Sequence, residues 1–206
     1  MSSVTIAKRK DMTIRALESL HAFRRDVFVG RLRWQLPLLD GIERDEFDRE
    51  DTVYLAVSPD GEEVTACARL LPTAAGSYML PELFPELLGE RPAPCDPTVW
   101  ELSRFATSVR ASREGRVLSL SQPTLELLDS IFDFSLEHDI ERLVLVTSIA
   151  LERLLLRAGL KVHRVTAPAS LHGRMHVALY IDVPRPPRLP SRPLIPPRTP
   201  IAQPLI

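Results

Sequence analysis

Val99-Trp100-Glu101-Leu102-Ser103-Arg104-Phe105-Ala106 is the stretch on which the reading of this chain turns. It lies between a Pro-rich approach, Arg91 to Pro97, and a polar, Gly-containing loop, Thr107 to Arg116, and reads as a short strand. Side chains alternate along a strand, which directs Glu101, Ser103 and Phe105 to one face and Trp100, Leu102 and Arg104 to the other. A carboxylate and a guanidinium inside an otherwise core-like strand must be paired, hydrated or functional, because burying either charge alone is costly. At this point a structural ion pair and a reactive site are equally open.

Upstream, Thr52–Ser58 and Val64–Leu71 read as two strands joined by the turn Pro59-Asp60-Gly61. The second carries Arg69 in an apolar setting and stops at Pro72. A loop then leads to a helical turn around Glu82–Leu88. Before these strands, Thr13–Val29 is helical, with Leu17, Leu20, Phe23 and Phe28 on one arc. Arg24 falls inside that arc and either meets an anion or snorkels to the rim. Gly30–Asp51 has no period; it holds Trp34 and an acidic cluster of Asp40, Glu43, Asp45, Glu46, Asp48, Glu50 and Asp51. Such a cluster is ordinarily a solvated loop, with a cationic ligand site closed by Trp34 as the alternative.

Downstream, Ser121 caps a helix with Pro123 in its first turn and a core stripe of Leu125, Leu128, Ile131, Phe132 and Leu136. Arg142–Thr147 is a central strand. Ile149–Ala158 is a second helix, closed by Gly159, with Leu151, Leu154, Leu155 and Ala158 on one side and Arg153 and Arg157 on the other. Leu160–Thr166 and Met175–Val183 are the last strands. Residues 184–206 contain nine prolines and four arginines without an acid, which is expected to leave an extended or disordered tail behind a single domain of residues 1–183. Helices crossing over between strands make this an α/β protein with one flanked sheet.

Composition narrows the function. With 206 residues, 45% hydrophobic and 26% charged, the chain is an ordinary globular protein. A net charge of −1 and the lack of a basic stripe argue against nucleic acid. The longest apolar run, Leu143–Leu151, is too short to span a bilayer, and Lys8, Arg9 and Lys10 precede no signal-like segment, so a cytoplasmic protein is expected. Cys67 and Cys95 form neither a disulfide framework nor a metal site, and the acidic segment lacks the Asp-x-Asp-x-Asp-Gly calcium pattern. No Gly-x-Gly-x-x-Gly follows a strand, no Walker A motif occurs, and no Gly-x-Ser-x-Gly accompanies the histidines.

The set Arg24, Phe28, Trp34, Asp45, Asp48, Arg69, Glu101 and Arg104 resembles the signature of the acyl-homoserine-lactone synthases, the autoinducer synthases of bacterial quorum sensing. The segments around it agree: Phe23 to Phe28, Glu43 to Asp48, Arg69 to Thr73, Tyr78 to Leu80, and Trp100 to Phe105. The resemblance covers about residues 15 to 183. It implies the Gcn5-related N-acyltransferase fold, a three-layer α/β/α sandwich with a mixed, splayed sheet whose cleft takes a phosphopantetheine arm. It also implies a reaction in which S-adenosylmethionine, a substrate and not a cofactor, is acylated and then lactonised with loss of methylthioadenosine. The Arg/Gln-x-x-Gly-x-Gly/Ala pyrophosphate loop of acetyl-CoA users is absent, which favours acyl carrier protein over acyl-CoA as donor.

Carried onto this chain, the resemblance makes Glu101 the general base and places Arg104, Ser103 and the backbone around Phe105 at the thioester. Arg24, Phe28, Trp34, Asp45, Asp48 and Arg69 fall on the adenosylmethionine side. There Arg24 and Arg69 hold a carboxylate or order the acidic loop, and Asp45 and Asp48 face the substrate's cations or pair with arginine. Met79, Leu102, Phe105, Leu145, Thr147, Leu151 and Leu155 are the acyl-pocket candidates. Leu145 stands near the position where makers of 3-oxo products carry Thr, so an unsubstituted chain of medium length is expected. Exposed Arg153 and Arg157 would steer an acidic carrier protein. Strict alternation sends Glu101 and Arg104 to opposite faces, so both reach one site only if the strand is bulged or splayed. Two other readings remain: a generic N-acyltransferase of this fold acting on another amine, and a non-catalytic relative that binds these ligands without turnover.

Overall fold

In the computed structural model, residues 3–36, 38–59, 61, 63–108, 122–171 and 173–184 are described. The expected cap Ser121, the turn residue Asp60 and the tail from 185 onward lie outside them. An eight-stranded sheet runs in the order β1 (Ser3–Lys8), β4 (Val53–Ser58), β5 (Ala66–Pro72), β6 (Val99–Thr107), β7 (Arg142–Ser148), β10 (Arg174–Asp182), β8 (Val162–Arg164), with β9 (Ala169–Leu171) also paired to β10. Each pairing is antiparallel except β6 with β7.

Helix α3 (Gln122–Glu137) makes the crossover that this parallel pair requires. It packs with α4 (Ile149–Arg157) on one face, where Leu127, Ile131, Leu155, Leu70, Leu143 and Leu179 share a core. Helix α1 (Ile14–Arg24) covers Tyr54, Ala56 and Cys67 on the other face, and α2 (Met79–Leu83) covers Val99 and Val144. The sandwich therefore has three layers, α/β/α.

Several expectations need correction. The α3 stripe holds at Leu128, Ile131 and Phe132, but Leu125 and Leu136 are exposed while Leu127 and Phe134 are buried. A helix lying against a twisted sheet covers a band that drifts around its axis, so a fixed stripe misses its edges. Ala158 is likewise exposed, beyond the end of α4. The strand β1 was not foreseen because an edge strand half in water needs no apolar alternation. Gly30–Asp51 is not wholly irregular: a π-helical segment, Arg25–Arg31, continues α1, and β2 (Leu38–Leu39) pairs with β3 (Ile42–Glu43).

Two irregularities position the site. The β6–β7 ladder covers only Val99, Trp100 and Glu101 against Arg142, Leu143 and Val144, and beyond it the sheet opens. Across β5 and β6, Cys67 faces Ala106 but Arg69 faces Ser103, so β6 holds one extra residue. Arg104 sits in that bulge with φ +50°.

Candidate active site

The bulge answers the question that strict alternation raised. Glu101, Ser103 and Arg104 lie on the same face, together with Met79, while Trp100, Leu102 and Phe105 pack toward the α3 core. A non-glycine residue in the left-handed region costs on the order of 1–2 kcal/mol. The side chain of Arg104 offsets this through bonds to Glu43 Oε1 at 3.1 Å and Asp45 Oδ2 at 2.7 Å, and its guanidinium lies 5.5 Å from the Phe28 ring centre.

Glu101 is 1% exposed and accepts the N–H groups of Met79 (2.9 Å) and Leu80 (2.8 Å) at the start of α2. Burial pushes its carboxyl up, while the two backbone donors and the charges of Arg69 and Arg104 pull it down, leaving it at about 7. A carboxyl poised there exchanges protons at neutral pH, as a general base must.

Beside it lies a closed ion network of Arg24, Arg69 and Arg104 against Glu43, Asp45 and Asp48. Arg24 grips Asp48 with both terminal nitrogens (2.8 and 2.9 Å) and donates Nε–H to Glu43. Arg69 donates to Asp45 (2.5 Å), Asp48 (2.9 Å) and Ser103 Oγ (3.0 Å). Tyr54 O–H adds a bond to Asp48 at 2.6 Å. Burial alone would raise the Asp48 pKa, but Arg24 and Arg69 hold it well below the usual carboxylate range. Burial lowers the Arg104 pKa and the neighbouring Arg69 adds to that, so Arg104 is the least compensated cation of the three. Among the described residues, its Nη1 meets the Met79 sulfur alone, at 3.7 Å.

The acidic cluster is thus solvated only in part: Asp40, Glu46, Glu50 and Asp51 are exposed, whereas Glu43 and Asp48 are almost fully buried. Arg24 meets anions and does not snorkel. Asp45 and Asp48 are spent on arginine, so they offer no unpaired charge to a ligand. Sequence reasoning did not assign Glu43 to the site, although it bonds both Arg24 and Arg104. Its signal was the segment Glu43 to Asp48, of which the resemblance carries only Asp45 and Asp48 to the site.

A cavity of about 520 Å³ opens where β6 and β7 part. Glu101, Leu102, Ser103 and Arg104 of β6 and Val146 of β7 line it from the sheet, with Met79 of α2 and Trp34 among its other walls. Trp34 is 41% exposed and stacks on buried Phe28 with ring centres 5.0 Å apart. The π-helical segment supports this arrangement: Trp34 N–H bonds Phe28 C=O at 2.9 Å, and Arg31 reaches the carbonyls of Thr107 and Ser108 at the end of β6. Arg24 and Arg69 do not line the cavity; they hold the acidic segment against the strand that does.

The acyl-pocket candidates divide. Met79 and Leu102 line the cavity, but Leu145, Thr147, Leu151 and Leu155 do not. Leu145 belongs to the α3-side core because residues of odd number on β7 face α3 and α4 while Val144 and Val146 face the α2 side, and Leu151 and Leu155 of α4 pack in or against that same core. The Phe105 side chain is also on the helix side, so any part it plays at the cavity is through its backbone. Arg153 and Arg157 are exposed on α4; neighbouring Glu152, buried, holds Arg164 of β8 in a two-pronged pair. Cys67 is buried, with its thiol pushed up to about 12, and Cys95 is an exposed free thiol. Among the described residues, no cluster is placed to hold a metal, and no helix is long and apolar enough to cross a membrane.

Residues 8–187 match the family model described as autoinducer synthase. An acyl-homoserine-lactone synthase from Ralstonia solanacearum is 41% identical over 169 residues, covering 80% of this chain and 81% of the relative. The crystal structure of the AHL synthase LasI superposes with a TM-score of 0.78 at 36% identity, covering 89% of this chain and 91% of that one. BjaI, a CoA-dependent acyl-homoserine lactone synthase with SAM and isopentyl-CoA, also gives 0.78, at 30% identity and coverage of 90% and 85%.

Proposed function

The chain belongs to the autoinducer synthase family, and we propose that it makes an N-acyl-homoserine lactone for quorum sensing from an acyl thioester and S-adenosylmethionine. The observation that carries the residue assignment is the β6 bulge, which sets Glu101 and Arg104 on one face at the cavity where the sheet opens. The α-ammonium of adenosylmethionine, with a reference pKa of about 8, loses a proton to Glu101, directly or through a water. The freed amine attacks the thioester carbonyl and the thiolate leaves, taking up a proton to give the thiol. The methionyl carboxylate then attacks its own γ-carbon, forming the lactone C–O bond as the C–S bond to methylthioadenosine breaks.

Arg104 Nη1, whose partner among the described residues is a sulfur, donates to a substrate oxygen in this cycle, and a backbone N–H near Phe105 steadies the tetrahedral oxyanion. Ser103 reaches the same face and is fixed by Arg69. Trp34 and Phe28 close over the adenosylmethionine side. Arg24, Arg69, Asp45 and Asp48, with Glu43, act by holding Arg104 in its strained position.

Leu102 belongs both to the cavity wall and to the α3-side core, so the acyl chain passes it and enters between β6 and β7 toward Leu145, Thr147, Leu151 and Leu155. The donor we propose is acyl carrier protein, supported by the missing pyrophosphate loop and by exposed Arg153 and Arg157. Incubation with adenosylmethionine and a panel of acyl carrier protein and CoA thioesters, read by mass spectrometry, tests this reading. An acyl-homoserine lactone is expected from at least one donor, and its absence with every donor overturns it.

A further inference from the structure

Two cavity-lining arginines stand outside the ion network. Arg33 and Arg174 are both exposed, and among the described residues neither has an anionic partner. They come from different parts of the chain: Arg33 follows the π-helical segment, and Arg174 opens β10 after the turn from β9. Arg33 holds φ +58°, although neither Gly nor Asn occupies the position, and the next residue is fixed by the Trp34 N–H bond to Phe28. His176 lines the same cavity and donates Nδ1–H to the Arg174 carbonyl at 2.9 Å. The cavity thus has a buried floor of Glu101 and Arg104 and an exposed cationic rim.

A rim of two unpaired guanidiniums selects an anion, and the exposure of the pair, against the burial of Glu101 and Arg104, puts that anion at the mouth of the cavity and away from the reacting atoms. The carboxylate of adenosylmethionine is one carbon from the attacking amine and must stay near Glu101 on the floor. The other anion is the phosphate at the far end of a phosphopantetheine arm, whose thioester end reaches the floor. We propose that Arg33 and Arg174 form a clamp for the phosphate of the donor's phosphopantetheine arm. This identification rests on the acyl-thioester reading for the presence of that arm. The clamp recognises what carrier-protein and CoA donors share, and it leaves discrimination between them to surfaces farther out.

The test is calorimetric titration of the full chain with 4′-phosphopantetheine and with pantetheine, at low and high salt. The variants are Arg33→Asn, chosen because Asn tolerates the left-handed backbone, and Arg174→Gln. Wild type is expected to bind the phosphorylated arm about five- to tenfold more tightly, as a charge-assisted but solvent-screened contact should. That gap should narrow with salt and nearly close in either variant. No gap in wild type, or a gap unchanged in both variants, overturns the clamp. So does a variant that weakens adenosylmethionine binding while keeping the gap, since the rim would then hold the carboxylate. Binding needs no turnover: an intact, arginine-dependent gap without lactone formation upholds the clamp and counts against the synthase reading, and lactone formation without a gap does the reverse.

Discussion

Glu101→Gln separates chemistry from folding in a way that can be worked out in advance. The carboxyl rises from its ordinary value of 4.5 to about 7 in the fold. Its raised folded pKa contributes stability that is fully present below about pH 4.5 and lost as pH rises through about 7. Above that pH, keeping Glu101 ionised in the fold costs about 3 kcal/mol relative to the unfolded chain. Gln removes this term at every pH, but its single oxygen faces two donors, the N–H groups of Met79 and Leu80. One donor is left against the amide NH₂, a loss of about 1–3 kcal/mol. The variant should therefore be less stable than wild type at pH 5 and equal or more stable at pH 8, which urea unfolding at the two pH values reads directly.

Turnover at pH 8, followed by thiol release, should fall by about 10²–10⁴, the usual worth of a general base. The wild-type rate should also show an ascending limb near pH 7 that the variant lacks. Turnover within about threefold of wild type would remove Glu101 from the proton transfer. A stability difference that does not change between pH 5 and pH 8 would show that the carboxyl is not raised.

Asp48→Asn leaves Arg24 and Arg69 short of a buried counter-charge and should destabilise the fold by about 3–5 kcal/mol at pH 7 in chemical unfolding. Because Asp48 is held low, its contribution is present above about pH 4 and fades as pH falls, so the penalty of the variant should shrink in acid. Trp34→Ala should raise KM for adenosylmethionine about tenfold with under about 1 kcal/mol lost in thermal stability, since the ring is partly exposed and stacks on Phe28. Joint Arg153→Glu and Arg157→Glu should raise KM for carrier-protein donors, most at low salt, and spare short acyl-CoA substrates; an equal effect on both would exclude α4 as the docking face.

What could be read from the sequence follows the density of apolar pattern. α3, β7 and α4 carry enough Leu, Val and Ile to announce themselves, β6 is marked by the Pro-rich and polar segments on either side of it, and the α/β order follows from the four. The ion network was half legible: Arg24 and Arg69 stand out because each breaks an apolar run, whereas Glu43 sits among other charges and nothing local shows that it is buried. The bulge was legible only as a condition for Glu101 and Arg104 to meet at one site, and no local residue marks its place. Residues that signal a left-handed backbone are Gly and Asn, and the position is held by Arg104, kept there by partners about sixty positions upstream, Glu43 and Asp45. The faces of β7 failed likewise, because a strand buried on both sides shows no alternation, and Leu145 reads no differently from Val146.

The most direct test of lactone synthesis is the stoichiometry of one reaction. The protein, adenosylmethionine and a single accepted acyl thioester are followed together for free thiol, methylthioadenosine and lactone. The three should appear in equal amounts, with each product lost in proportion in Glu101→Gln. Thiol and an acylated amine without methylthioadenosine would contradict lactone synthesis and point to a generic N-acyltransferase.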